Sequence, residues 1–330
     1  MDGAFKDCMN LESVTLGAKV KSLGVDCFAN TKIKTIHLPQ DVYNIAGAFK
    51  NCPALESVTV DPANTALTTN GKAVFRKTQF TVDGKSKNGY ILLYYLPSKA
   101  QGKITLNSDV RAIGEYAFYG CSKLEEVEAY DLMFVDFYAF SYSGIKKFNA
   151  DSVSRIESGA FRNCKNLQEI NLQSVDYIGV ASFENCTSLT SITLPEDIEA
   201  IYETAFANTG ITEITIYGDN CYIYESAFKN CKNLKTVNLE DGVYYVGMNA
   251  FIGCSDIETI RISKSVKLFD DNAFNGCENA HFEVVNGSRA HDFVKKKGYD
   301  FETVGSVSIF ERISNFFANI FETLFGWLLG

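Results

Sequence analysis

Residues 159–172 read GAFRNCKNLQEINL, and the chain repeats them. Residues 226–239 read SAFKNCKNLKTVNL and residues 116–129 read YAFYGCSKLEEVEA, with Ala-Phe, a cysteine, a leucine and a short β-like run at fixed offsets. The phenylalanine marks a period. Eleven positions carry it: Phe5, Phe28, Phe49, Phe118, Phe140, Phe161, Phe183, Phe206, Phe228, Phe251 and Phe274. Nine of the ten spacings are 21 to 23 residues and the other is 69, three periods long. A unit of that length fits the leucine-rich-repeat range and is too short for paired helices or a propeller blade.

Within each unit the apolar positions are regular. An aliphatic residue stands five before the Phe (Ile113, Ile156, Ile178, Ile201, Val246) and often a valine eight before (Val110, Val153, Val175, Val266). After the Phe comes an apolar-x-apolar core: Val14 and Leu16, Ile36 and Leu38, Val58 and Val60, Ile104 and Leu106, Val127 and Ala129, Phe148 and Ala150, Ile170 and Leu172, Ile192 and Leu194, Ile214 and Ile216, Val237 and Leu239, Ile260 and Ile262. Period-two alternation turns both apolar residues of a core inward and the residue between them outward. Stacking one such strand per repeat gives a parallel sheet, with Phe and Ile side chains filling the coil behind it.

The consensus AF..C..L..V.LP..V..I....AF resembles the BspA-like leucine-rich repeat of bacterial and some protozoan surface proteins, over about residues 1–285. The resemblance implies a right-handed α/β-type solenoid, an adhesive or protein-contact role, and a cell-surface or secreted location. No asparagine ladder follows the strand, as it does in more familiar leucine-rich repeats, so a less curved solenoid is expected.

The long spacing contains NGKAVFRKTQFTVDGKSKNGYILLYYLP, residues 70–97. Its apolar runs at 73–75 and 90–96, joined by a Gly/Lys/Asn-rich segment, predict a β-hairpin inserted over about 62–100. The repeat fades after Phe274. Residues 286–306 read as a closing segment, with a short helix near 290–297 and a last strand near 299–304. From Ser308, SIFERISNFFANIFETLFGWLLG opens with a capping-box spacing (Ser308, Glu311) and carries an apolar stripe through Phe310, Ile313, Phe317, Ile320, Leu324 and Trp327. Residues 307–330 are therefore expected as an amphipathic helix. It either seals the solenoid or meets a membrane interface or a partner; a spanning helix is the weakest option, since Glu311, Arg312 and Glu322 interrupt the tract.

The 330 residues carry a net charge of −9, which argues against a nucleic-acid partner. The opening MDGAFKDCMNLESVTL has neither a basic start nor an apolar stretch, and it enters partway through a repeat. Either earlier repeats, and any targeting segment, precede it, which is the expectation, or the solenoid begins uncapped. The signals at Asn185 and Asn286 read as chance matches to a glycosylation motif.

Eight of ten cysteines lie three residues after the marker Phe, where Thr31, Ser143 and Thr209 stand in other repeats. That interchange describes a small side chain in a turn, and no C-x-x-C is present, so structural thiols are expected, with an inter-coil disulfide or a metal as the other possibility. Cys221 fits neither recurring position and is the candidate reactive thiol. His37, His281 and His291 fall at unrelated positions of the repeat, and no phosphate-cradling or nucleophile motif occurs. No catalytic residue, metal ligand or cofactor is expected.

Two surfaces remain as binding candidates for a protein or glycan. The outward strand column reads Thr15, His37, Thr59, Thr105, Glu128, Asn149, Asn171, Thr193, Thr215, Asn238 and Arg261. Small polar side chains on a long rigid sheet suit an extended ligand, and Thr also favours an exposed strand for its β-propensity alone. Tyr177, Tyr202, Tyr222, Tyr224, Tyr244 and Tyr245 gather on another edge, where tyrosine serves interfaces well or simply covers the coil. The alternatives are a glycan-acting enzyme using Glu126 and Glu128, whose i, i+2 separation of roughly 6.5–7 Å suits a carboxylate pair, and a structural spacer. Against the enzyme, Lys147 and Glu169 continue the Glu126 column as a charge ladder.

Overall fold

The structure, a computed structural model, describes residues 1–82 and 84–308. The chain winds as stacked coils, and each marker phenylalanine is inside. From Phe28 to Phe274 the ten marker rings are at most 1% exposed. They stack nearly parallel along the axis: Phe140 to Phe161 is 5.0 Å between centroids at 4°, and Phe161 to Phe183 is 5.4 Å at 4°. Ala-Phe is a unit because the alanine has no room to be larger. Ala117, Ala139, Ala160, Ala205, Ala227, Ala250 and Ala273 are fully buried, and the carbonyls of the first six accept inter-coil bonds at this turn, as in Phe140 N to Ala160 O at 2.7 Å.

Two left-handed residues flank each ring from Phe5 to Phe251. Around Phe161 they are Gly159 (φ 66°) and Asn163 (φ 60°). The second position is Asp7, Asn30, Asn51, Asn163, Asn185, Asn208 or Asn230 in seven coils, Gly120, Gly253 or Gly276 in three and Tyr142 in one, all with positive φ. Asn, Asp and Gly are the residues that tolerate this region, which explains the N of the recurring FxNC. Side chains at this turn also bond from coil to coil, Asn51 Nδ2 to Asn30 Oδ1 at 2.5 Å and Asn185 Nδ2 to Asn163 Oδ1 at 3.0 Å.

The expected front strands pair in parallel and in register, as Ile36 with Val58, Phe148 with Val127 and Val237 with Ile260. They form three sheets: Thr35–Leu38 with Ser57–Val60; Gly102–Thr105 through Leu124–Ala129 and Lys147–Ala150 to Glu169–Ile170; and Glu213–Ile216 through to Asp300–Ser306. Residues 14–16 and 192–194 form no ladder strand, contrary to the alternation read there. Asn171 accounts for part of the interruption: its Oδ1 accepts Gln173 N at 3.0 Å, a local turn that competes with the ladder.

Each coil from residue 110 to 269 also has a second short strand, at the positions read only as inward aliphatics, and these build an 11-stranded sheet down one flank. Its members are two to four residues long beyond the hairpin, with a single inward aliphatic in the shortest, too little alternation to read as strands.

The hairpin does not hang from the solenoid. Ala73–Val82 pairs antiparallel with Lys85–Tyr95, which pairs in parallel with Val110–Ile113, so the insertion is stitched into the flank sheet. It also divides the interior. Ala73, Leu92 and Tyr95 belong to the larger core, while Val74, Leu93, Tyr94 and Leu96 belong to the smaller core around Phe28 and Phe49.

The far end closes with the helix Arg289–Lys297, capped by Ser288, whose Oγ accepts His291 N, and by left-handed Gly298 (φ 73°). Phe293 of this helix packs 4.6 Å from Phe269, and Tyr299 stacks 4.8 Å from Phe282. Among the described residues no helix is long and apolar enough to cross a membrane. The amphipathic helix expected over 307–330 falls, beyond Ser308, outside the described residues.

Candidate recognition surface

The front column is largely bonded to itself. Thr105 Oγ1 donates to Glu128 Oε2 at 3.3 Å, Asn238 Nδ2 to Thr215 Oγ1 at 3.0 Å, and Arg261 Nη1 to Asn238 Oδ1 at 3.2 Å. Arg261 also grips Glu283 with two bonds, at 2.8 and 2.9 Å, and His37 Nδ1 lies 3.0 Å from Thr59 Oγ1. Asn149 stands beside Glu128 in the ladder, Asn171 turns to Asp151 Oδ1 at 2.7 Å, and exposed Thr193 lies outside the ladders. Lys103 Nζ reaches Glu126 at 3.0 Å and Glu128 at 3.3 Å, and Lys147 holds Glu169 at 2.6 Å. The two candidate carboxylates are thus held by one ammonium on an open surface, a geometry that supports the charge-ladder reading over an acid/base pair.

The six tyrosines, by contrast, come together. They lie on the flank sheet where Tyr177, Ala200, Tyr222 and Tyr245 are successive ladder partners. Ring centroids are 4.8 Å apart for Tyr177 and Tyr202, 4.8 Å for Tyr202 and Tyr224, 5.6 Å for Tyr222 and Tyr244, and 5.8 Å for Tyr222 and Tyr245. Two glycines make room for this packing. A Cβ at Gly179 or Gly247 would crowd the backbone of the preceding coil, at Ser158 N and Ile223 O. Tyr222 is exposed and the other five are half-buried. Tyr245 donates to Asp270 Oδ2 at 2.7 Å, and burial together with that carboxylate raises its phenol pKa.

A second aromatic patch escaped the sequence reading. Tyr116 stacks on Tyr138 at 5.3 Å and 5°, with Tyr119 and Tyr142 beside them. Lys50 Nζ sits 3.9 Å above the Tyr116 ring and 2.5 Å from Asp26 Oδ1. Its signal was present in YAFYG and YAFSY, where tyrosine takes the left-handed position two before the Phe.

The cysteines are free, and nine of the ten are buried. In the repeat position the thiol donates to the Phe carbonyl of the coil before, as Cys52 Sγ to Phe28 O at 2.9 Å and Cys164 Sγ to Phe140 O at 3.0 Å. In coils lacking cysteine, Thr31 and Thr209 bond their own Phe carbonyl at 2.9 Å instead. Those coils are one residue shorter at the turn, and a Cβ at Gly144 or Gly210 there would overlap the carbonyl oxygens of Ser122 and Thr187. Cys221, the candidate reactive thiol, is fully buried, and burial pushes its pKa to about 12. No group of His, Cys, Asp and Glu among the described residues could hold a metal ion.

The profile of the BspA type Leucine rich repeat region matches six copies, over residues 1–83, 94–179 and 154–281. A leucine-rich repeat protein of Bacteroides ovatus is 23% identical with a TM-score of 0.60, covering 91% of this chain and 73% of its own. One of Eubacterium ventriosum is 22% identical with a TM-score of 0.61, covering 83% of this chain and 67% of its own. No curated protein matches. Leucine-rich-repeat scaffolds are typically binding frames rather than enzymes, and they generally engage protein partners. With the repeat matched over most of its length and coils stacked as the repeat requires, the chain belongs to the BspA-type leucine-rich repeat proteins.

Proposed function

We propose that the chain is a non-catalytic recognition module acting in attachment or protein–protein contact at a bacterial surface, and that the tyrosine flank is its contact face. One observation carries this reading. Six tyrosines from successive coils form a continuous ring surface that is still partly open, whereas the polar groups of the front column are largely engaged with one another. Tyrosine gives much contact area for few frozen rotors, which is why interfaces favour it. The family resemblance is what supports the surface location.

The test is a binding screen of the full chain against purified extracellular matrix proteins and glycans. A Tyr202→Ser/Tyr222→Ser/Tyr224→Ser variant should lose the contact, while Thr193→Ala/Thr215→Ala should keep it. The opposite pattern moves the contact to the front face. Binding that survives both sets removes this reading.

A further inference from the structure

We infer that the tyrosine flank takes cationic side chains: an extended segment of the partner places lysine or arginine in the hollow between Tyr224 and Tyr245, against Glu203 and Glu225. This rests on the contact face proposed above and adds the chemistry of its ligand.

The hollow has a volume of about 380 Å³, and its walls include Glu203, Tyr224, Glu225, Tyr245, Met248 and Asp270. The carboxylates around it are not equivalent. Asp270 accepts the Tyr245 hydroxyl at 2.7 Å, and Asp271 is paired with Lys296 and Lys297 at 3.4 and 3.3 Å. Glu203 and Glu225 come from adjacent coils, joined there by Thr204 N to Glu225 O at 3.2 Å. Among the described residues neither has a lysine or arginine at ion-pair distance.

The chain shows what this constellation holds. At the start of the same row, Arg155 lies 4.4 Å above Tyr177 while pairing with Glu157 at 3.0 Å. On the other patch, Lys50 lies over Tyr116 and against Asp26. In both, a cation rests on a tyrosine face with a carboxylate beside it. No cation of the described residues lies over Tyr202, Tyr222, Tyr224, Tyr244 or Tyr245, although the carboxylates are in place. Ring quadrupole and carboxylate both attract positive charge. Burial, and then the nearby Glu157, raises the Tyr177 phenol; burial, Tyr202 and Glu203 raise that of Tyr224. The whole chain, at −9, draws the same partner.

The probes are capped peptides, (Lys-Ser)4, (Glu-Ser)4 and (norleucine-Ser)4, titrated calorimetrically into the full chain at low and high sodium chloride. The lysine peptide should bind, more weakly at high salt, and the other two should not. Glu203→Gln/Glu225→Gln, a near-isosteric change on the surface, should weaken it roughly tenfold. Tyr224→Leu should weaken it roughly three- to tenfold and Tyr224→Phe little, since the ring face rather than the hydroxyl does the holding. Equal binding of the norleucine peptide, absence of lysine-peptide binding, or indifference to the double Gln change overturns the inference. A protein ligand lost on Tyr→Ser substitution but unaffected by the Gln changes would leave the contact face standing and remove only its cation preference.

Discussion

The ring of Tyr94 lies 5.4 Å from that of Phe49, and its sequence neighbour Tyr95 lies 5.0 Å from Phe118. Successive strand residues point to opposite faces, so these two tyrosines carry the aromatic stack across the 69-residue gap in the phenylalanine count. The hairpin replaces the missing rungs and seals both halves of the interior. Tyr94 bears a cost: its hydroxyl is buried with no hydrogen-bond partner among the described residues. Tyr94→Phe should therefore leave stability unchanged or raise it by up to about 1 kcal/mol, whereas Tyr94→Ala should cost several. Urea unfolding of the two variants checks both.

The central rings should matter far more than the terminal one. Phe161 is fully buried between two stacked neighbours, and Phe5 is 42% exposed with a ring on one side only. Phe161→Ala should destabilise by roughly 3–5 kcal/mol and Phe5→Ala by under about 1.5 kcal/mol, measured by denaturant unfolding. Equal losses would show that the stack is not shared from coil to coil.

How far the sequence could be read follows from what each pattern encodes. Phe161, Cys164 and Ile170 recur at fixed offsets because each coil must present the same shape to the next, so the solenoid and its front strands were legible. The flank sheet was not, since pairs such as Arg155–Ile156 and Tyr177–Ile178 are too short to show alternation. Tyr177 through Tyr245 could be placed on one edge from spacing alone. The carboxylates beside them were missed, because Glu203 and Glu225 gain meaning only when adjacent coils are seen to abut.

The buried thiols should be silent in the folded chain. Burial pushes Cys121, Cys164, Cys221 and Cys277 to about 12, leaving almost no thiolate at neutral pH. Cys8 is the exposed one of the ten. Native protein should react with DTNB at about one thiol and denatured protein at all ten. Two or more fast-reacting thiols in the native state would contradict the burial.

Left-handed asparagine carries its own energetic signature. Asn163 holds φ 60° and accepts from Asn185 at 3.0 Å. Asn163→Ala should cost about 1–2 kcal/mol for the backbone strain plus the lost bond. Asn163→Gly should cost less, because glycine removes the strain and forfeits only the side-chain contact. If alanine and glycine prove equal in thermal unfolding, the conformation is not what selects asparagine.

The last strand should loosen as pH rises. His281 Nδ1 lies 2.7 Å from Asp300 Oδ2, joining strand His281–Asn286 to strand Asp300–Ser306. The hydrogen bond to Asp300 raises the histidine above its ordinary 6.5, burial opposes it, and the charges of Asp300, Glu302 and Glu283 add to the rise. A histidine raised on folding stabilises fully below the unfolded value, and that stabilisation disappears as pH climbs through the folded one. The pair is largely exposed, so the effect is a few tenths of a kcal/mol. It should appear as faster amide exchange in Asp300–Ser306, beyond the intrinsic rate increase, between pH 6 and pH 8. Asp300→Asn should abolish that difference and return the His281 titration, followed by NMR, toward 6.5. An unchanged titration in Asp300→Asn would assign the raised pKa to Glu283 and Glu302 rather than to the pair.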